Sequence, residues 1–461
     1  MRKVRCAIGD APERHGRLTR AALAGTLAAL LALGPAACAD RSPDTEGTTV
    51  TVAAVDFMRT MDKLVDDFEL SHPDTHVNFV FLPENTLRAR VPKDIASEAG
   101  RYDVVAIGPY EAPIWASRGW LTRLDRYAGQ GDYDMRDFIP TVRRSLAYDG
   151  GQYAVPYYGE SSFLMYRKDL FAKAGLTMPE RPSWQQIARL AKRLHDPENG
   201  VAGICLRGGP GWGNLLMPLN TVILTFGGRW YDEHWNPRLT SPETKHAVRF
   251  YVDLVRRYGQ PRAAEAGPAE CLSTMRQGKA AMWYDSTALA GSLEDPKTSE
   301  VAGRLGYAPA PVECTASSGW LWAWSLAIPV TAKDPQAAWE FVSWATSKRY
   351  PKLYGERLGW VRVPPGGRLS TYRLPEYQDA TQAFVRPALD ALDAVNPRHP
   401  GTHEQPWVGM SYVGIPEYAG LGNRVSAEIS AAIAGRQSVD EALAKAQIFA
   451  RDVVEGGGYR K

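Results

Sequence analysis

The 461-residue sequence predicts an α/β fold, and three observations carry that prediction. Its opening stretch alternates strand-like and helix-like patterns. Its length and 44% hydrophobic fraction allow a large core. Its 23% charged fraction and 14 Trp argue against disorder.

The strand and helix patterns follow in order. Thr48–Val55 is β-rich, and Met61, Leu64, Val65 and Phe68 then carry helical spacing over 61–70. A second strand is expected at Val77–Leu82, a helix over 84–98, and a third strand, buried on both faces, over 103–107. Such a βαβαβ unit implies a parallel sheet with right-handed crossovers. Ligands on parallel sheets bind beyond the carboxyl ends of the strands. The segments 56–57, 83–85 and 108–111 therefore become candidate site loops. Later helices are expected at Trp184–Leu194, Pro242–Tyr258, 335–347, 426–435 and 438–451. Ser183 and Ser241 are placed to cap the first two. Short β pieces are expected at 305–308 and 326–329.

The first 37 residues read as an export signal. Arg2, Lys3, Arg5, Arg14, Arg17 and Arg20 precede the apolar run Ala21–Leu33, which is shorter than the about 20 residues of a membrane span. Small residues then lead to Cys38, an arrangement that resembles a bacterial lipoprotein signal and implies lipidation of Cys38. An ordinary cleaved signal with an incidental cysteine is the alternative. The polar stretch 38–47 reads as a flexible tether. Removing the leader leaves 48 basic against 49 acidic residues. A body that is nearly neutral has no charge excess for nucleic acid, which is excluded as a partner.

Metal and redox chemistry find little support. His399 and His403 are four apart, but Pro397, Pro400 and Gly401 break any helix between them, so no metal site is expected. Cys205, Cys271 and Cys314 have no C-x-x-C spacing. Three cysteines allow one disulfide, for which Cys271–Cys314 is chosen, with Cys205 buried as a small hydrophobe. No G-x-S-x-G or H-E-x-x-H motif occurs. Glu111, Glu160 and Asp285 remain candidates for a glycosidase carboxylate pair, or for acceptors of sugar hydroxyl hydrogen bonds.

The run Trp320-Leu-Trp-Ala-Trp324 alternates, so its three indoles would share one strand face. They read either as core or as flat apolar surfaces in a cleft.

Several spaced segments resemble the extracellular solute-binding proteins of carbohydrate ABC importers: Gly151–Tyr158, Met165–Leu176, Pro182–Trp184, Gln277-Gly-Lys-Ala-Ala-Met282 and Ala337–Lys348. Glu84–Arg90, Tyr110–Trp115, Met282–Asp285, Trp320–Trp324 and Gly359–Gly366 resemble their sorbitol/mannitol-binding branch. The resemblance implies a two-lobed periplasmic-binding-protein-like fold of type II, whose hinge the chain crosses three times. On that basis lobe 1 is placed at 48–158 and 309–345, and lobe 2 at 159–308 and 346–461. The resemblance further implies a monomer without cofactor that hands a sugar alcohol or small sugar to permease subunits outside the cell membrane. A ligand would be bridged by Asn85, Tyr110, Glu111, Trp320 and Trp322 from lobe 1, Tyr158 and Glu160 at the first crossing, and Trp212, Asp285 and Tyr412 from lobe 2. Competing structural roles are helix capping for Asn85 and Asp285, loop packing for Tyr158 and Trp212, and a hinge hydrogen bond for Glu160. A secreted glycoside hydrolase is the alternative function.

Overall fold

A computed structural model describes residues 47–460. The expected leader, Cys38 and nearly all of the expected tether lie outside them.

The expected βαβαβ unit is present. Strands β1 (Thr48–Val55), β2 (Thr75–Leu82) and β3 (Val104–Ile107) are parallel, and helix Glu84–Ala96 lies between the last two. Strands β4 (Ala154–Glu160) and β5 (Ser162–Arg167) are separated only by Ser161. They are followed by β6 (Met282–Ser286), β7 (Leu305–Pro309) and β8 (Trp322–Ala327). A five-stranded sheet has the order β2-β1-β3-β8-β4, with β8 antiparallel to both neighbours. A three-stranded antiparallel sheet has the order β6-β5-β7. The chain passes from the first sheet to the second at Ser161 and returns between β7 and β8.

Caps account for the best-placed helices. Ser183 accepts from the Gln186 amide while Gln186 returns the bond, and helix Trp184–Leu194 has the expected ends. Ser241 does the same for the Thr244 amide at 3.3 Å, ahead of Pro242 at the first helical position of Pro242–Tyr258.

Other elements depart from expectation. The helix placed over 61–70 is two pieces, a 3₁₀ segment Asp56–Lys63 and an α-helix Val65–Ser71. Met58, Met61 and Leu64 are buried at intervals of three, which is the 3₁₀ repeat rather than the α repeat. The helix expected from 426 begins at Tyr418 and ends at Ile433. Its early turns hold Gly420 and Gly422, which weaken the sequence signal. Gly422 is required by packing, because a Cβ there would lie 2.7 Å from the Trp212 Cβ.

Segments near the expected lobe limits make contacts on both sides. Residues 312–314 still bond to the Ser183 and Thr225 region beside the smaller sheet. Residues placed in lobe 2 after 346 instead hold the five-stranded side: Arg349 pairs with Asp67 and Arg357 with Asp66, both at 2.7 Å. Tyr350 meets Tyr157 at 3.1 Å. Arg362 then pairs at 2.6 Å with Asp295, which lies between β6 and β7 of the three-stranded sheet.

The disulfide expectation is corrected as well. Cys205 is bonded to Cys271, and Cys314 is an exposed free thiol. Cys205 bridges to Trp283 of β6, and Cys271 lies on helix Pro268–Arg276. Both belong to one small apolar cluster under the second sheet. Spacing along the chain could not rank the three possible pairs. Among the described residues no helix is long and apolar enough to cross a membrane.

Candidate functional site: a cleft between two sheets

A cavity of about 290 Å³ lies where the two sheets meet. Two of the three strand-end loops reach it, Phe57 after β1 and Glu84 after β2, as the parallel-sheet rule requires. Tyr157, Tyr158 and Glu160 of β4 and Trp322 and Trp324 of β8 complete that wall. Arg207, Met217 and Ser286 come from the other side, and Arg362–Pro365 from a later loop. Phe57 is 54% exposed, and its ring packs 5.6 Å from Trp324 and 6.3 Å from Tyr158. Flat apolar faces thus alternate with a few charged groups, the composition of a small-solute site.

Glu160 ends β4 opposite Trp322 of β8. Its carboxylate accepts from the Ser286 hydroxyl of the second sheet, and from the Trp320 indole N–H at 3.2 Å. Burial pushes its pKa up to about 7, against the opposing pull of the Ser286 bond and the Arg207 charge. One carboxylate therefore links both sheets and the returning crossing.

Asp285 is fully buried and does not line the cavity. It accepts from Arg207 Nε at 2.8 Å and Nη2 at 2.5 Å, from the Trp283 indole at 3.0 Å and from the Ser286 amide at 2.7 Å. Burial works against the Arg207 charge and Asp285 outweighs it, so the guanidinium stays charged at the cavity wall. The cap of the turn after β6 is Ser286, whose side chain accepts from the Ala288 amide, rather than Asp285. Nor does Asn85 cap its helix: Pro83 holds the cap position with no side-chain bond, and Asn85 sits inside the first turn near Gly211.

The ten expected ligand residues therefore separate into groups. Tyr158, Glu160 and Trp322 line the cavity. Trp320 is buried behind it, bonded to Glu160. Tyr110, Trp212 and Tyr412 form an aromatic cluster beside the cavity and in contact with its Trp322 wall. Tyr110 is 5.0 Å from Trp212 and 5.5 Å from Tyr412, and Trp212 is 5.8 Å from Trp322. The Tyr110 hydroxyl faces the carbonyls of Ile415 and Pro416 and takes the Ala419 N–H, each at 3.1 Å. Burial raises its pKa to about 12. Glu111 accepts from the Gly108 amide at 3.0 Å and pairs with Arg88. Gly108 itself makes room for the site, since a Cβ there would lie 2.2 Å from the Trp322 ring.

Arg207, Arg88 and Arg362 were missed, and Trp324 was weighed with its two neighbouring indoles but left out of the ligand set. The strand-end rule pointed to Phe57 and Glu84 through their loops, whereas Arg207 follows Cys205 with no local motif and reaches the site by tertiary packing alone. The hydrolase alternative loses its acids: Glu111 and Asp285 are each committed to an arginine. No cluster of metal ligands occurs among the described residues.

Two α/β lobes closing on a small mixed cavity define a type II, two-lobed solute-binding protein rather than an enzyme. The chain belongs to the bacterial extracellular solute-binding protein family, whose pattern matches residues 54–350. It is 42% identical over 417 residues to the mannitol-binding protein of Pseudomonas aeruginosa, covering 90% of this chain and 94% of that one. A crystal structure of an ABC transporter solute-binding protein from Agrobacterium vitis, with bound D-mannitol, superposes with a TM-score of 0.88 at 45% identity. That match covers 90% of this chain and all of the other. A ribitol complex of a solute-binding protein from Agrobacterium radiobacter shares the fold, with a TM-score of 0.79 at 24% identity, over 89% and 99% of the two chains.

Proposed function

We propose that this protein captures an acyclic sugar alcohol, D-mannitol or a near relative, or a small sugar, and delivers it to the permease of an ABC importer. The observation that carries the reading is the interlobe cavity of about 290 Å³, with indole and phenol faces beside Glu84, Glu160 and Arg207. A flexible polyol presents C–H faces to the aromatic rings and hydroxyls to the charged groups. The volume is at the small end for ligand sites and suits one hexitol better than an oligosaccharide. The mannitol-binding relative and the mannitol complex support the same ligand class. The protein acts as a monomer, with lobe 1 carrying the parallel strands and lobe 2 the three-stranded sheet. Lipid on Cys38 holds it at the outer face of the cell membrane.

Calorimetric titration with D-mannitol, D-sorbitol, ribitol and maltose, beside a chromogenic glycoside panel, tests the ligand. Saturable polyol binding without turnover is the expected result. Glycoside cleavage, or no binding of any of these solutes, overturns the reading, and binding of maltose alone replaces the polyol with the small sugar. For the anchor, Cys38→Ser should move the protein from the membrane fraction to the soluble fraction, and continued membrane association would place the anchor elsewhere.

A further inference from the structure

We propose that Arg88 is a positioning residue of the binding cleft: one guanidinium fixes Trp322, Trp324 and Glu84 in one wall and ties them to Trp212, which is anchored to a separate helix beside the cavity. The inference rests on the solute-binding reading above and adds to it a residue outside the cavity lining.

Arg88 projects from helix Glu84–Ala96, and its side chain is only 9% exposed. Its Nε donates to Glu84 at 3.0 Å, and Nη1 pairs with Glu111. The guanidinium carbon lies 4.2 Å from the Trp212 ring centre and 5.0 Å from those of Trp322 and Trp324. Nη2 is buried with no hydrogen-bond partner. Part of this cation is therefore held by aromatic faces instead of acceptors, an arrangement suited to a weakly hydrated planar group. Lysine has no plane to lay on an indole while forking to two carboxylates.

Three of the groups it touches, Glu84, Trp322 and Trp324, line the cavity. Trp212 is fastened elsewhere: its amide bonds to Asn423 at 3.1 Å and the Gly211 amide to Ser426 at 2.8 Å, both on helix Tyr418–Ile433. Trp212 therefore belongs with that helix while its indole faces Arg88. In a closed cleft the cation gains the third indole. In an open cleft that face returns to water, so the contact favours closure at the same time as it sets the wall.

The test compares wild type with Arg88→Met and Arg88→Lys. It reads D-mannitol and D-sorbitol affinity by calorimetry, apo melting, and near-ultraviolet circular dichroism of the indoles. Arg88→Met should weaken both ligands by about tenfold and alter the indole spectrum. It should also lower apo melting because buried Glu111 loses its cation, so the charge-keeping Arg88→Lys is the variant read at unchanged melting. Arg88→Lys should restore less than half of the lost binding free energy. Wild-type affinity in Arg88→Met, or full rescue by lysine, overturns the proposal. If Arg88→Met does not fold, Arg88→Lys decides: weakened binding at unchanged melting supports it, and unchanged binding overturns it. If wild type binds no polyol but another solute, the polyol reading alone fails, and the variants are compared on that solute.

Discussion

Two carboxylates close to the cavity behave differently because their partners differ. Glu160 is bonded to a hydroxyl and an indole, and its pKa rises to about 7. A carboxyl raised in the folded state prefers its proton there. Its favourable contribution is full below the unfolded value near 4.5, and is lost as pH rises through about 7. Wild type should therefore lose roughly 3 kcal/mol relative to Glu160→Gln between pH 4.5 and 8, from the size of that shift. Denaturant melts of both proteins across that range would show it, and parallel pH profiles would sink it. Asp285 instead neutralises Arg207 in a buried, two-bonded pair. Asp285→Ala strands the cation and should cost about 3–5 kcal/mol. Asp285→Asn, which keeps one acceptor, should cost less. Ligand affinity should fall with stability in the same order, because Arg207 loses its position at the wall. Weaker binding at unchanged melting would mean that Asp285 touches ligand directly.

At the scale of elements, legibility followed the locality of the signal. The strands β1 to β3 were readable because apolar residues cluster over short runs, and helix Trp184–Leu194 because a capping serine marked its start. The segment Asp56–Lys63 was misread because its buried methionines repeat every three residues within a pattern that also fits an α-helix. The site was half legible: the strand-end rule reached Phe57 and Glu84, and the Trp-rich strand reached Trp322. Arg207, the Cys205–Cys271 pair and the cluster around Tyr110 depend on contacts between distant segments that spacing does not encode. Tyr110 shows the difference in role. Its hydroxyl stitches the loop after β3 to the start of helix Tyr418–Ile433 and does not reach the cavity. Tyr110→Phe removes a hydrogen-bonded hydroxyl worth about 1 kcal/mol. If that bond favours the closed form, affinity should fall about fivefold for mannitol and ribitol alike, leaving their ratio unchanged. Competition titrations give the ratio directly, and a changed ratio would place the Tyr110 hydroxyl on the ligand.

For the whole molecule, the cavity walls come from both sheets and from the loop holding Arg362–Pro365, so a bound solute should stabilise all of them together. Ligand that binds only the folded, closed protein at one site adds RT ln(1 + [L]/Kd) to its stability. Above the dissociation constant this is about 1.4 kcal/mol for each tenfold rise in free D-mannitol, and about 2.7 kcal/mol at a hundredfold excess. The dependence on salt follows from charge. The chain after residue 37 is nearly neutral and a polyol carries no charge, so screening has no net attraction to remove. Denaturant melts over several decades of D-mannitol, repeated at low and high salt, should give one transition. Its stability should rise along that slope in both salts. A steeper slope would reveal a second site, and a ligand that stabilises only part of the melt would show that the cavity does not couple the two lobes. Strong loss of binding in high salt would point to a charged solute, and the arginines at the wall would then be its receptors.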